Sequence, residues 1–424
     1  MKRSSLVAAF VLVAIAACSN SPYPKSDDGI KVRYIALPEW PKTLDPGVSY
    51  SALDHAVIAN VYDTLLEYHY LNRPFELIPG LAQAVPDAQP LGGGRFAYRF
   101  RLRPGMRFQK DPCFAPGAGP ADREIEAADF AFELMRIADP VVISPVVATF
   151  SKIVGFDEFA GRLAEKRKSD PSFAQLRIDR QYADAGGIEG VVVRGRYELE
   201  IVLREAYPQL LYWFAMPFTA PVPWEAIAYY DGRRGRPFFK EHPIASGPFR
   251  LARYDQHSRI VLERNPNWYG ALHPEWRAPG ATYPTSGEPG DADRGLLPPE
   301  YVGRPLPFLD RIDFRIDKED IASFNKFLQG YYDASGIIQE SFDRAVQNGG
   351  LSPAMAARGM ALAKSVEPAI FYIGFNMKDP VVGSAGGVRA RKLRQAMSLA
   401  IDAVEFLRVF NNGRDVPAQS PIPP

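Results

Sequence analysis

Along this chain the spacing of apolar residues switches repeatedly between alternation and a helical period, which predicts a mixed α/β protein. Lys31-Val32-Arg33-Tyr34-Ile35 alternates like a strand, and Thr43-Leu44-Asp45-Pro46 then turns the chain. Leu53, Val57, Val61 and Leu65 recur at helical spacing and predict a helix over Ser51–Leu66 with one buried face. In Arg95–Leu102, Phe96, Tyr98, Phe100 and Leu102 fall on one face while Arg95, Arg99 and Arg101 fall on the other. That is the pattern of a half-buried strand whose arginines face solvent. Gly92-Gly93-Gly94 before it reads as a turn. Further strands are predicted at Tyr197–Leu203, Arg259–Glu263 and Arg311–Ile316, and helices at Glu126–Arg136, Ser151–Lys168 and Val388–Ala400. Phe371-Tyr372-Ile373-Gly374-Phe375 has the uninterrupted apolar character of a buried strand, and Asp402 with Glu405 resembles a capping box for one more helix. The stretch Arg277–Pro307, dense in Pro, Gly and Asp, is too long for an ordinary connection and predicts a surface loop or insertion.

The N-terminus breaks this pattern. Lys2 and Arg3 precede an apolar run from Leu6 to Ala17, and Cys18 follows Ala16-Ala17. A charged start, a short apolar stretch and small residues before a cut describe an export signal, and the cysteine directly after the cut describes the lipoprotein kind. The expectation is removal of residues 1–17 and attachment of diacylglycerol, with a further acyl chain such as palmitate, at Cys18. Two or more chains are needed to anchor a protein firmly. Residues 18–29, polar and rich in breakers, would be the tether, with order beginning near Ile30.

Composition narrows the function. The 424 residues carry 50 basic and 49 acidic side chains, a net charge of +1, so no overall field attracts nucleic acid. Arg389, Arg391, Lys392 and Arg394 form a basic cluster that reads as a solvated helix face. Acylation of Cys18 would leave Cys113 without an intramolecular partner, so stability rests on the core. The five histidines lack His-x-x-x-His spacing, and no Cys-x-x-Cys, Gly-x-Ser-x-Gly or phosphate-loop pattern occurs. The chemistry on display calls for no metal and no cofactor, and it suits a binding protein better than an enzyme.

Several segments, taken in order, resemble the bacterial solute-binding proteins of the peptide and nickel transport class, family 5. They include Thr43-Leu44-Asp45-Pro46, Val61-Tyr62-Asp63-Thr64-Leu65-Leu66-Glu67, Pro79-Gly80-Leu81-Ala82 and Phe100-Arg101-Leu102-Arg103-Pro104-Gly105-Met106-Arg107-Phe108. Ser246-Gly247-Pro248-Phe249, Glu263-Arg264-Asn265-Pro266-Asn267-Trp268-Tyr269, Phe375-Asn376-Met377 and Ala400-Ile401-Asp402 follow. The resemblance implies an α/β, periplasmic binding protein-like class II clamshell with two lobes plus an inserted extra domain. Residues 30–45 and 186–368 would form the main domain of the first lobe, 46–185 the insertion, and 369–424 the start of a second lobe. That lobe would be incomplete, since relatives continue further.

By the same resemblance the ligand is an oligopeptide, held extended through its main chain, trapped by hinge closure and delivered to the permease subunits of an inner-membrane ABC importer. The positions nearest the family's ligand-contacting segments are Tyr50, Ser51, Ser246, Gly247, Phe371, Tyr372 and Asn376. On the residues alone, Gly247 equally suits a tight turn, Phe371 and Tyr372 suit a core strand, and Asp45 suits its own turn. Two other functions stay open: an exported hydrolase on an unfamiliar scaffold, and an envelope lipoprotein that uses the same fold without transport. Nickel, haem and sugars are alternatives to peptides as ligand.

Overall fold

The computed structural model describes residues 22–364 and 369–422. The export signal, Cys18 and residues 365–368, at the end of the expected main domain, lie outside the described residues. The chain divides into two units: Met1–Glu319 with Gln329–Ala334, and Asp320–Leu328 with Ser335–Pro424.

In the first unit the strands are β1 (Val32–Leu37), β2 (Leu66–Tyr68), β3 (Leu77–Pro79), β4 (Gln89–Gly92), β5 (Arg95–Arg101), β6 (Val191–Gly195), β7 (Glu198–Leu203), β8 (Phe249–Asp255), β9 (Arg259–Arg264) and β10 (Arg311–Ile316). They build two four-stranded sheets, β1-β10-β9-β8 and β4-β5-β7-β6, and a small β2-β3 pair. Only β1 and β10 run parallel.

In the first sheet β9 and β10 alternate as predicted, whereas β1 turns Ile35 and Leu37 to the core and Tyr34 to the opposite face. Ile35 and Leu37 on β1, Ile260 and Leu262 on β9, and Ile312 and Phe314 on β10 share one core with Leu44, Val57, Ile58, Val61 and Tyr62. In the second sheet Tyr98 pairs with Ile201 and Phe100 with Leu199, and this face packs into a core with Phe130, Leu134, Phe156 and Phe159. Those four come from helices at Ala127–Ala138 and Phe156–Ser169. The opposite face carries Arg99, whose guanidinium lies 2.7 Å from Glu200 on β7. Arg99 therefore has a cross-strand role, while Arg95 and Arg101 meet solvent as expected. Because β6 and β7 pair with β5, the second layer continues to Leu203, past the boundary expected at 185/186.

Other expectations needed correction. The helix expected over Ser51–Leu66 ends at Ile58. Beyond it the backbone is claimed by distant partners: Gly247 N–H donates to Val61 O at 2.8 Å, and Gly80 and Ala82 N–H both donate to Leu65 O. These bonds need an extended chain, so tertiary pairing overrides the helical spacing of Val61 and Leu65. The segment expected to be a free tether is packed from Tyr23 onward, and Asp27 is buried. Arg277–Pro307 is a loop without strands, as expected, but it is tied down. Buried Asp291 accepts from Arg73 at 2.7 Å, and Tyr283 N–H donates to Arg304 O at 2.9 Å. Cys113 is a free, buried thiol.

The second unit contains helices at Asp320–Leu328, Gly387–Leu399 and Ala403–Phe410. Asp402 caps the last of these, accepting the Glu405 N–H at 2.9 Å, which is one half of the expected capping box, while the Glu405 carboxylate pairs with Arg408. Phe371–Phe375 is not a strand: Phe371 and Tyr372 are 86% and 84% exposed. Among the described residues no strand is paired with it, and an extended segment without ladder partners has little to hold it as a strand. No described helix is long and apolar enough to cross a membrane.

Candidate functional site

The turn at Thr43–Pro46 builds the site. Thr43 Oγ1 accepts the Asp45 N–H at 3.0 Å, and Asp45 Oδ1 accepts the Gly47 N–H at 3.1 Å, an Asx-type turn that satisfies the local backbone. Leu44 is buried beneath it, and its N–H donates to Lys240 O at 2.8 Å, which draws residues 239–241 alongside. Ser51 then starts the short helix Ala52–Ile58 by accepting the Asp54 N–H at 3.1 Å. The Asp54 carboxylate reaches back, accepting from Lys42 N–H at 2.8 Å and from the Ser49 hydroxyl at 3.3 Å.

Between the turn and the helix lies a solvent-open cavity of about 610 Å³, lined by Lys42, Thr43, Asp45, Val48, Tyr50, Ser51, Asp54 and Lys240. Tyr50 is 69% exposed, with its ring centroid 6.1 Å from that of Phe218. Lys42 and Lys240 are exposed and form no ion pair among the described residues. The lining thus offers exposed ammonium groups, the hydroxyls of Thr43 and Ser51 and an aromatic face, while the carboxylates of Asp45 and Asp54 are buried and already bonded, a set that suits the carboxylate end of a small polar ligand.

The floor is a buried charge cluster. Asp45 meets Arg136 at 3.2 and 2.5 Å, and Arg136 also meets Glu133 at 2.7 Å. Both Glu133 and Arg136 come from Ala127–Ala138, whose start is secured by Asp129 accepting the Glu126 N–H at 2.9 Å. A single guanidinium neutralises a single carboxylate, so the second acid is driven towards its protonated form. Burial, reinforced by Asp45, pushes the Glu133 carboxyl up to about 8 even against the pull of Arg136. Gly47 permits this closeness, since a Cβ there would sit 2.3 Å from Glu133 Oε1.

That elevation sets a pH dependence. A carboxyl whose folded pKa lies above its unfolded value of about 4.5 binds protons more tightly when folded, so stability falls as pH rises from about 4.5 to about 8. Glu133→Gln is expected to remove this fall and to stabilise the protein by about 2–4 kcal/mol at pH 8.5. Thermal melts of both proteins between pH 4.5 and 8.5 check this. A parent whose melting temperature does not fall relative to the variant over that range contradicts it.

The remaining candidates lie elsewhere. Ser246 and Gly247 are buried: Ser246 Oγ accepts the Asp63 N–H at 3.1 Å, and Asn265 donates to Gly247 O at 2.9 Å. A Cβ on Gly247 would lie 2.9 Å from the Val61 backbone, so the glycine serves close packing and does not line the cavity. Phe371, Tyr372 and Asn376 belong to the second unit, where Asn376 Oδ1 accepts the Lys378 N–H at 3.1 Å. Sequence reasoning missed Lys42, Asp54, Lys240 and the Arg136 cluster. Ser51-x-x-Asp54 is a capping pattern that was open to recognition, whereas nothing marks an inward-facing arginine late in a helix.

The model for bacterial extracellular solute-binding proteins, family 5 Middle, matches residues 76–424. Di/tripeptide-binding protein 2 of Pseudomonas aeruginosa is 23% identical over 45% of this chain and 31% of its own length. The periplasmic oligopeptide-binding protein OppA of Salmonella typhimurium is 23% identical over 49% of this chain and 34% of its own length. The crystal structure of the substrate-binding domain of an oligopeptide ABC transporter from Bacillus anthracis superposes with a TM-score of 0.51 and 18% identity, covering 76% of this chain and 48% of that one. The matched region thus spans about a third of each curated relative and about half of that structure. The mixed α/β fold is that of the class II periplasmic binding proteins, and the chain belongs to the bacterial extracellular solute-binding proteins of family 5.

Proposed function

We propose that the chain is the substrate-binding lipoprotein of a peptide importer, anchored through Cys18, without catalytic activity, and serving membrane permease subunits. What carries the peptide reading is the open cavity beside Tyr50 and Ser51, with unpaired ammonium groups and buried carboxylates on its wall, on a chain whose relatives are named for binding di-, tri- and oligopeptides. The exposed ammonium groups answer the carboxylate of a peptide, and an exposed aromatic ring offers a stacking surface that tolerates many side chains. In this reading Tyr50 and Ser51 are ligand contacts, while Ser246 and Gly247, bonded to Asp63, Val61 and Asn265, are not contacts. The exposed Phe371, Tyr372 and Asn376 are proposed contacts on the second unit. Within the expected insertion at 46–185, Val57, Ile58, Val61 and Tyr62 pack with the first sheet, so residues 65–203, from the start of the second core to the end of β7, would form the inserted domain.

An open cavity covers only one side of a ligand, so affinity for a tripeptide is expected in the millimolar range, far below that of an enclosed pocket. Tyr50→Ala should weaken binding about tenfold, equivalent to ~1.4 kcal/mol. Chemical-shift titration with trialanine tests this. Saturable binding that is indifferent to Tyr50, or no binding at all, argues against this site, and consumption of the peptide argues for an enzyme. For the anchor, Cys18→Ser is expected to abolish incorporation of a fatty-acid probe and release the protein from membranes. Continued labelling of that variant would show that Cys18 is not the lipidation site.

A further inference from the structure

The face of the first sheet turned away from its core is charged and aromatic. Arg259 Nε donates to Asp313 at 2.9 Å, Arg315 approaches the same buried carboxylate at 3.5 Å, and Tyr34 lies beside them on β1. The N-terminal segment is clasped onto this face. The Tyr23 ring stacks on Tyr34 with centroids 4.1 Å apart and planes 9° from parallel. The buried Asp27 carboxylate accepts from the Tyr34 hydroxyl and pairs with Arg311. Asp27 N–H closes the turn by donating to Pro24 O at 2.9 Å. Stacking, a charge-assisted hydrogen bond and an ion pair thus act on a handful of residues whose composition is that of a solvated linker.

We propose that this clasp is an orienting strap, which holds the sheet face around Pro24, Ser26, Ala252 and Arg253 against the phospholipid headgroups. The inference rests on the reading of Cys18 as the lipid anchor. Tyr23 follows Cys18 by five residues, so the two Cα atoms are at most about 18 Å apart, whereas a tether free through Gly29 would reach about 43 Å to Ile30. A leash this short gives the clasped face the nearest approach to the bilayer. Beside the clasp, Pro24, Ser26, Ala252, Arg253, Arg259 and Glu263 border a shallow hollow of about 430 Å³. Its arginines already have carboxylates: Arg253 meets Asp255 at 2.6 Å, Arg259 meets Asp313, and Arg311 meets Asp27. The face is therefore close to electrically balanced, and its orientation comes from the strap, with little dependence on salt.

The test uses full-length lipidated protein in liposomes carrying a headgroup acceptor dye, in a Cys113→Ala background. A donor is attached at Ala252→Cys beside the hollow, or at Arg180→Cys on the exposed side of a helix packed into the other core. Given the short reach, transfer from position 252 is expected to exceed that from position 180 by about threefold or more, equally at low and high salt. Tyr23→Ala/Asp27→Ala should bring the two close to equality while leaving the membrane-bound fraction unchanged. Equal transfer from both positions in the membrane-bound parent, or a difference that survives in the double variant, overturns the strap alone. Protein that never partitions into membranes overturns the anchor and the strap together.

Discussion

Arg136→Met is expected to destabilise the fold by about 3–5 kcal/mol, the range for removing one partner from a buried ionic cluster. Arg136 is buried, bridges Asp45 and Glu133, and lies over the Phe239 ring with its guanidinium carbon 5.5 Å from the centroid. Met fills much of the volume but leaves Asp45 facing Glu133 with no cation. Urea denaturation checks this through a lowered midpoint at an unchanged slope. The loss comes from stranded charge, so adding Asp45→Asn and Glu133→Gln to Arg136→Met should recover most of it. A single variant that loses less than about 1 kcal/mol, the scale of a solvent-screened pair, would contradict this account of the site's floor.

A comparably large effect is expected in the second unit, this time on association. Phe371, Tyr372, Ile373, Leu399, Val404, Phe406 and Phe410 are all exposed. Ala403–Phe410 is an amphipathic helix whose Phe406 and Phe410 rings touch at 4.8 Å on its apolar side while Glu405 and Arg408 pair at 2.6 Å. Apolar surface of this kind drives contact between molecules. The protein is expected to self-associate at tens of micromolar, and Phe406→Ser/Phe410→Ser with Phe371→Ser/Tyr372→Ser should raise the concentration needed about tenfold or more, ~1.4 kcal/mol of contact energy. Sedimentation velocity across a concentration series reads this directly. Identical profiles for parent and variant would mean that these side chains do not mediate association.

Much of the fold was legible because its signals are local. Alternation in Arg95–Arg101 and Arg311–Ile316 comes from side chains that leave a strand on opposite faces, and the cap at Asp402 needs only its own helix. What failed was decided by partners far away in sequence. Val61 and Leu65 keep a helical spacing, but their carbonyls serve Gly247, Gly80 and Ala82. Phe371–Phe375 reads as a buried strand because apolarity marks burial, although residues 371–374 are exposed and only Phe375 is half-buried. Tyr23 and Asp27 sit in a linker-like composition, and only the fold brings Tyr34 and Arg311 to them. The site divides in the same way. Tyr50 and Ser51, singled out by the family resemblance after the turn before them, line the cavity, while Lys240 reaches it through a backbone bond to Leu44 that leaves no trace in the sequence.

The most direct test of the central claim, that the cavity beside Tyr50 and Ser51 receives peptide, is photocrosslinking with a tripeptide carrying a diazirine, followed by mass-spectrometric mapping of the adducts. The account predicts adducts within residues 42–54 and at Lys240, competed away by unlabelled tripeptide and lost in Tyr50→Ala. Competable adducts confined to other segments would contradict it.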